Sequence, residues 1–183
     1  MIPPFDSRGL LPGFVGEVAD TGNAPFWTTM GEIARRFGAT EERRSILRGL
    51  LAYRDALRAA GVVAAVQWIN GSFVEDCETV RGRPPRDIDV VTFGSFPAIS
   101  ELTPELQELF NPARTKEKFR CDAYVVSVES DPRRAAVLLD GAAYWHGLFG
   151  HTREQARKGF LAVSLDAKDD ADAAAVLGDR RDS

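Results

Sequence analysis

Two short segments, a Gly-Ser turn and an Asp-x-Asp strand, constrain the fold of this chain more than any other part of its sequence. Residues 62–69 form a short apolar run rich in β-branched side chains, which predicts a buried strand that ends at Gly71. A turn at Gly71 and Ser72 directs backbone N–H groups and a hydroxyl outward, and such donors suit the oxygens of a phosphate. The sequence therefore predicts a phosphate-binding turn at the carboxyl end of this strand.

The second segment, residues 87–93, is predicted to form another strand. Because side chains alternate along a strand, Asp87 and Asp89 lie on one face and the apolar side chains lie on the other. Mg²⁺ prefers oxygen ligands, usually one or two carboxylates with phosphates and water. Two carboxylates beside a phosphate-binding turn therefore predict a site for Mg²⁺ and a nucleoside triphosphate. The alternative for Asp87 by itself is a turn residue that follows two prolines.

A further carboxylate, Asp122, lies within residues 118–128, which are predicted to form a later strand. A carboxylate in an otherwise apolar strand is costly to bury without a partner, so a bound cation is a natural counter-charge. The order of strand, Gly-Ser turn, Asp-x-Asp strand and single-Asp strand resembles the DNA polymerase β-like nucleotidyltransferase superfamily. A small, uncharacterised bacterial branch of it is similar over about residues 5–165. The matching segments are Gly9–Pro12, Gly71–Val74, Pro85–Val90 and Lys158–Leu161.

This resemblance implies a Mg²⁺-dependent (or Mn²⁺-dependent) enzyme that transfers a nucleoside monophosphate from an NTP to an unknown acceptor, whether a small molecule, a protein or RNA. Asp87 and Asp89 would bridge two metal ions and the triphosphate oxygens. Asp122 would bind the second metal ion or take the proton of the acceptor hydroxyl. The sequence departs from the superfamily at Arg86, where Ser or Thr is common, and in a longer loop before it.

Nucleotide binding is predicted for Gly71, Ser72 and Lys158. A lysine binds phosphate as a mobile point charge, and the alternative for Lys158 is a surface lysine that precedes a strand. The alternative for Ser72 is a plain turn at a strand end.

The predicted fold is α/β: a nucleotidyltransferase-like mixed, twisted sheet of about four or five strands, with helices mainly on one face. With 183 residues, the chain is predicted to hold an N-terminal arm and short helix (residues 1–40), the main domain (41–165) and a flexible acidic tail (166–183). Thr28 or Thr29 and then Thr40 are predicted to cap the first two helices. Later helices are expected at residues 97–110 and from Asp131 to about residue 148.

Charge and composition narrow the function classes. The net charge of −4 and the sequence pI of about 5.3 argue against an extensive nucleic-acid surface. No run reaches the ~20 apolar residues that cross a bilayer, so no membrane association is expected and a cytoplasmic protein is predicted. Five arginines of the second helix are expected to form a solvated basic face, or else to contact an acidic partner. They are Arg43, Arg44, Arg48, Arg54 and Arg58.

Two other classes of function stay open. In the first, the chain is a non-catalytic nucleotidyltransferase-like binding module, for instance one half of a toxin–antitoxin or defence pair. In the second, it is a nucleotide sensor without turnover. It is short for a separate acceptor-binding domain, so a homodimer or a partner protein is expected to supply that surface, unless the N-terminal arm does so.

Overall fold

A mixed five-stranded sheet forms the centre of the computed structural model, which describes residues 1–16, 22–62, 64–128, 131 and 134–178. The strands in chain order are β1 (Phe14–Val15), β2 (Gly22–Asn23), β3 (Phe26–Trp27), β4 (Val66–Asn70), β5 (Ile88–Gly94), β6 (Cys121–Ser127) and β7 (Leu161–Ser164). β1 and β2 form a separate antiparallel pair, and the other strands are ordered β3-β7-β4-β5-β6. β4 runs antiparallel to both of its neighbours, whereas β5 and β6 are parallel. The predicted mixed α/β sheet is confirmed.

Capping signals in the sequence correctly predict where two of the helices begin, but they do not predict where some of the others begin. They are α1 (Met30–Phe37), α2 (Glu41–Ala59), α3 (Cys77–Arg81), α4 (Pro104–Gln107), α5 (Pro112–Phe119), α6 (Ala135–Phe149) and α7 (Ala167–Gly178). The hydroxyls of Thr29 and Thr40 accept hydrogen bonds from the third residue of α1 and of α2, as expected of N-caps. The prediction of one helix over 97–110 is wrong, because that segment contains only α4 and two single 3₁₀ turns.

Helices cover both faces of the sheet. On one face lies α2, whose Arg54 donates to Gln67 of β4, and α1 and α7 pack beside it. On the other face lies α6, where Asn70 of β4 donates to the carbonyl of Phe149. Most of the helical layer is therefore on one face, as predicted, while α6 is the exception that covers the face of the aspartates. No described helix is both long and apolar enough to cross a lipid bilayer.

The prediction of a flexible acidic tail is wrong for α7, while residues 179–183 lie outside the described part of the chain. Ala173 and Leu177 of α7 are buried, and Asp170 accepts hydrogen bonds from Arg54 and Arg58 of α2. The first residues of α1 also donate to an α7 carboxylate, since the amide of Met30 lies 2.7 Å from Asp169 Oδ2. The acidic residues of this segment thus bind basic residues and helix N–H groups of the same chain, which a composition argument does not detect.

The predicted solvated basic face of α2 is also wrong. Arg43, Arg44 and Arg54 are buried, and Arg54 is completely inaccessible to solvent. All three nitrogens of the Arg54 guanidinium donate, to Asp170, to Gln67 and to the carbonyl of Ser164. Such full pairing is what makes a buried arginine tolerable.

Candidate functional site

A row of three polar side chains crosses the sheet at one end. Asn70 is the register partner of Asp89, and Asp89 is the register partner of Asp122. Because residues directly opposite each other in a sheet point to the same face, all three side chains lie on the face that α6 covers. β4 ends here while β5 and β6 begin here, so the Gly-Ser turn that follows β4 lies directly beside Asp89. Asp122 lies one strand further along the same end of the sheet.

Gly71 has a backbone conformation that other residues do not readily adopt. Its φ of 83° and ψ of −171° fall in a region that is essentially restricted to glycine. A Cβ at this position would lie 2.9 Å from Oδ2 of Asp89, so the turn passes directly over that carboxylate. Ser72, which is half-buried, begins the 3₁₀ turn Ser72–Val74. The glycine is thus required by both the backbone conformation and the close approach of Asp89.

The turn is held from the side of α2 by a buried arginine. The Nη1 of Arg43 donates to the carbonyl of Phe73 at 2.7 Å, and its Nη2 donates to the carbonyl of Glu75 at 2.7 Å. Nε of the same side chain pairs with Glu78 at 2.6 Å. Arg43 therefore fixes the backbone that follows Ser72, a role that its place in an amphipathic helix did not reveal.

Lys158 lies at the turn, but its charge is already paired. Its Nζ is 2.5 Å from Oε1 of Glu75 and 3.3 Å from the carbonyl of Gly71, and the residue is only 4% exposed. The other oxygen of Glu75 accepts from Arg81. These contacts make Lys158 a support of the Gly-Ser turn. A direct contact with nucleotide, as the sequence suggests, stays a prediction and would require Lys158 to leave Glu75.

A residue that sequence reasoning missed, Lys116, joins two of the aspartates. Its Nζ lies 2.7 Å from Oδ2 of Asp87 and 3.3 Å from Oδ2 of Asp122. Lys116 belongs to the last half of α5, a helix that the sequence analysis does not predict. The available signal is the pair Asn111-Pro112, because Asn111 is the N-cap of α5 and Pro112 is its first residue.

The charge of this end of the sheet is only partly neutralised. Burial, together with the charges of Asp87 and Asp122, raises the pKa of Asp89 to about 6, although Lys158 and Lys116 oppose the shift. The hydrogen bond from Lys116 to Asp87 raises the pKa of the lysine, which therefore stays protonated. An additional cation would stabilise the ionised form of Asp89.

Asn70 adds a buried acceptor to the row. Its Nδ2 donates to the carbonyl of Phe149 at 3.2 Å. The amide oxygen, Oδ1, takes no part in that hydrogen bond. This Oδ1 is buried and has no hydrogen-bond partner among the described residues. An unsatisfied buried acceptor costs about 1–3 kcal/mol, which a donor or a cation at this position would recover.

The oxygen ligands at this end of the sheet suit a divalent cation. Among the described residues, no three Asp, Glu, His or Cys side chains are grouped as a complete metal-binding cluster. Two aspartates nevertheless converge on a shared positive charge, and a third carboxylate and an unpartnered amide oxygen lie in the same row. Carboxylate and amide oxygens are the ligands that Mg²⁺ and Ca²⁺ take in proteins, so the residues fit such an ion.

Comparison with known proteins gives a family and no activity. The model of DUF6932, described as a family of unknown function, matches residues 3–164, and the chain belongs to that family. No curated protein and no solved structure matches the chain.

Proposed function

We propose that this member of the DUF6932 family is a Mg²⁺-dependent nucleotidyltransferase of the DNA polymerase β-like type, which transfers a nucleoside monophosphate from an NTP to an acceptor hydroxyl. One observation carries the proposal. The Gly-Ser turn, Asp89 and Asp122 meet at one end of a mixed sheet, with Asp89 and Asp122 in register on adjacent parallel strands. This arrangement combines phosphate-binding donors with carboxylates for a cation.

The residues divide into two groups by the part of the substrate they would bind. The backbone N–H groups of the turn and the hydroxyl of Ser72 would bind phosphate oxygens, held in place by Arg43 and Lys158. Asp87, Asp89 and Asp122 would hold the cation. Bound Mg²⁺ would supply charge neutralisation and Lewis acidity at the phosphates.

The transfer step needs a group that accepts a proton. An acceptor oxygen would attack the α-phosphorus, the bond to the β-phosphate would break, and pyrophosphate would leave. Asp122 is suited to take the acceptor proton, because its side chain is partly exposed, at 27%, and lies at the edge strand of the sheet. Asp89 is more deeply enclosed beneath Gly71 and is suited to hold the cation.

The test is transfer of label from α-³²P-NTPs to acceptors in a bacterial lysate, with Asp122→Asn, Asp89→Asn and the wild-type chain compared. Removal of a positioned base typically costs about 10²–10⁴-fold in rate, so Asp122→Asn should lose transfer while keeping most NTP binding. Asp89→Asn should lose both transfer and metal-dependent NTP binding. The matched control is Asp55→Asn, since Asp55 is an exposed aspartate of α2.

Two outcomes would contradict this assignment in different ways. Labelling that persists in Asp122→Asn would show that the reacting site lies elsewhere. Absence of labelled product from all four NTPs, with metal-dependent binding intact, would contradict an enzyme.

A non-catalytic nucleotide-binding module is the second candidate function. It is favoured by the pairing of Lys116 with two aspartates and of Lys158 with Glu75, since both lysines of the site are already engaged within the chain. For this candidate, a thermal-shift panel should show NTP stabilisation with Mg²⁺, of about 2.7 kcal/mol at ligand ~100 times Kd, and no turnover. A homodimer or a partner protein would then supply the activity that the module regulates.

A further inference from the structure

We propose that the ammonium of Lys116 replaces one of the two metal ions, so that this site binds a single divalent cation. The inference rests on the proposed function, because it concerns how many ions the same carboxylates hold. Two-metal sites for phosphoryl transfer place the ions about 3.5–4 Å apart and bridge them with carboxylates. In this chain, one such bridging position between Asp87 and Asp122 is taken by a side chain.

The contacts of Lys116 are those of a bridging cation. Its Nζ is within 2.7 Å of Oδ2 of Asp87 and within 3.3 Å of Oδ2 of Asp122, which belong to separate segments of the chain. Within the described part of the chain, Lys116 makes no such ion pair with Asp89. Asp89 and the unpartnered Oδ1 of Asn70 therefore stay available for the divalent ion.

The position of Lys116 is built into the fold. The side chain of Asn111 caps α5 by accepting from the amides of the next turn, and Phe119 at its other end packs against Tyr53 of α2. Arg120, which follows α5, donates through Nε and Nη2 to the carbonyl of Arg86, the residue before Asp87. The same short segment thus orients the lysine and the loop that carries its partner.

Charge balance also favours one ion. Three carboxylates and one ammonium carry a formal charge of −2, which one divalent cation balances. A second divalent ion would have to displace the ammonium from Asp87 and Asp122 or lie close to it, and like charges at such distances repel strongly. The ammonium can also contact phosphate oxygens as a point charge, which a second metal ion would otherwise do.

The experiment counts Mn²⁺ ions bound per chain by electron paramagnetic resonance of free Mn²⁺, with Mn²⁺ alone as the probe. The full-length wild type is compared with Lys116→Met and Lys116→Gln, which remove the charge, and with Lys116→Arg, which keeps it. The matched control is Lys118→Met, because Lys118 is exposed on the same helix and lies over the ring of Phe119. Melting curves of each variant verify that it is folded.

We expect about one Mn²⁺ per chain in the wild type, in Lys116→Arg and in Lys118→Met, and about two in the neutral Lys116 variants. Two ions in the wild type, or a single ion in the folded neutral variants, would overturn the role of Lys116 and leave the proposed function intact. No bound Mn²⁺ in any of these proteins would instead contradict the proposed function, since the carboxylates would then not be a metal site.

Discussion

Two polar clusters of this protein contain aspartates paired with basic residues, and they differ in how completely their charge is neutralised. The first, here called the inner cluster, consists of Arg54 and Arg58 of α2, Asp170 of α7, and Gln67 and Thr92 of the sheet. The second, here called the acidic end, consists of Asp87, Asp89, Asp122, Lys116 and Asn70. The two clusters lie on opposite faces of the same sheet.

In the inner cluster, the polar groups satisfy one another. Asp170 accepts from both arginines, Arg54 uses every guanidinium nitrogen, and Nε2 of Gln67 donates to Thr92 at 3.0 Å. Cations outnumber carboxylates here by one, and Arg58 remains partly exposed. The cluster joins α7 to α2 and β4 through hydrogen bonds within the chain.

At the acidic end, carboxylates outnumber the basic groups. Three carboxylates face one lysine that is half exposed, Asp89 has its pKa raised, and Asn70 holds an acceptor without a partner in the described chain. Residual negative charge in a partly buried place destabilises the unliganded fold. The comparison teaches that each buried charge of the inner cluster has a partner within the chain, whereas the acidic end keeps an excess of negative charge. This difference supports the proposal of a cation site at the acidic end.

The largest effect is expected from Arg54→Met, which removes the completely buried partner of Asp170 and leaves this carboxylate with only the partly exposed Arg58. Breaking a buried pair by removal of one partner costs about 3–5 kcal/mol, so the free energy of unfolding in urea at pH 7 should fall by that amount. The control is Arg35→Met, since Arg35 forms an exposed pair with Asp172 of the same α7 helix and should cost about 0–1 kcal/mol. Equal costs for the two variants would show that the inner cluster is not what fixes α7.

The second-largest effect, an increase in the free energy of unfolding, is expected from Asp89→Asn. The pKa of Asp89 is about 6 in the fold and about 3.9 when unfolded, so the native state holds a proton between these values that the unfolded chain has lost. The free energy of unfolding of the wild type therefore falls as the pH rises through this window, by up to about 3 kcal/mol from this group. Asp89→Asn should remove this pH-dependent loss of stability.

The measurement for Asp89 is urea unfolding at pH 4 and pH 7, with the difference between variant and wild type taken at each pH so that other titrating groups cancel. The variant should gain stability at pH 7 and little at pH 4, while losing its Mn²⁺-dependent melting shift. A variant that is less stable than the wild type at pH 7 would mean that Asp89 is neutralised like Asp170.

The smallest effect is expected from Lys116→Met in the absence of metal. Lys116 touches two carboxylates, but its side chain is 49% exposed, and exposed ion pairs contribute about 0–1 kcal/mol. Urea unfolding at pH 7 should therefore change by no more than this amount. A loss close to that of Arg54→Met would place Lys116 among the structural residues and remove the distinction between the two clusters.

Much of the acidic end could be predicted from local sequence. The alternation of β5 places Asp89 on the face opposite Ile88, and Gly71 follows an apolar strand that could not continue. These features depend on neighbours in sequence, so periodicity and turn chemistry predict them. The resemblance to a known superfamily implied that a later strand supplies a third carboxylate. The parallel pairing of β5 with β6, which puts Asp122 opposite Asp89, is shown only by the structure.

The missed elements depend on partners that are distant in sequence. The acidic segment of α7 folds because Arg54 and Arg58, more than 100 residues earlier, bind Asp170. Lys116 reaches Asp87 because Arg120 and Phe119 fix the end of α5 against another part of the chain. Neither contact changes the local hydrophobic period from which helices and tails are predicted.

Local sequence was sufficient to predict the caps of α1 and α2, the strand alternation and the glycine turn, because backbone sterics and side-chain spacing act within a few residues. Which charges are neutralised depends instead on the three-dimensional fold. Pairing depends on where side chains from remote segments come to lie, and the cost of a charge depends on burial, which no local pattern encodes. Arg54 and Asp89 are both charged residues within regular elements of the sequence, and only the fold surrounds one with partners and leaves the other with excess negative charge.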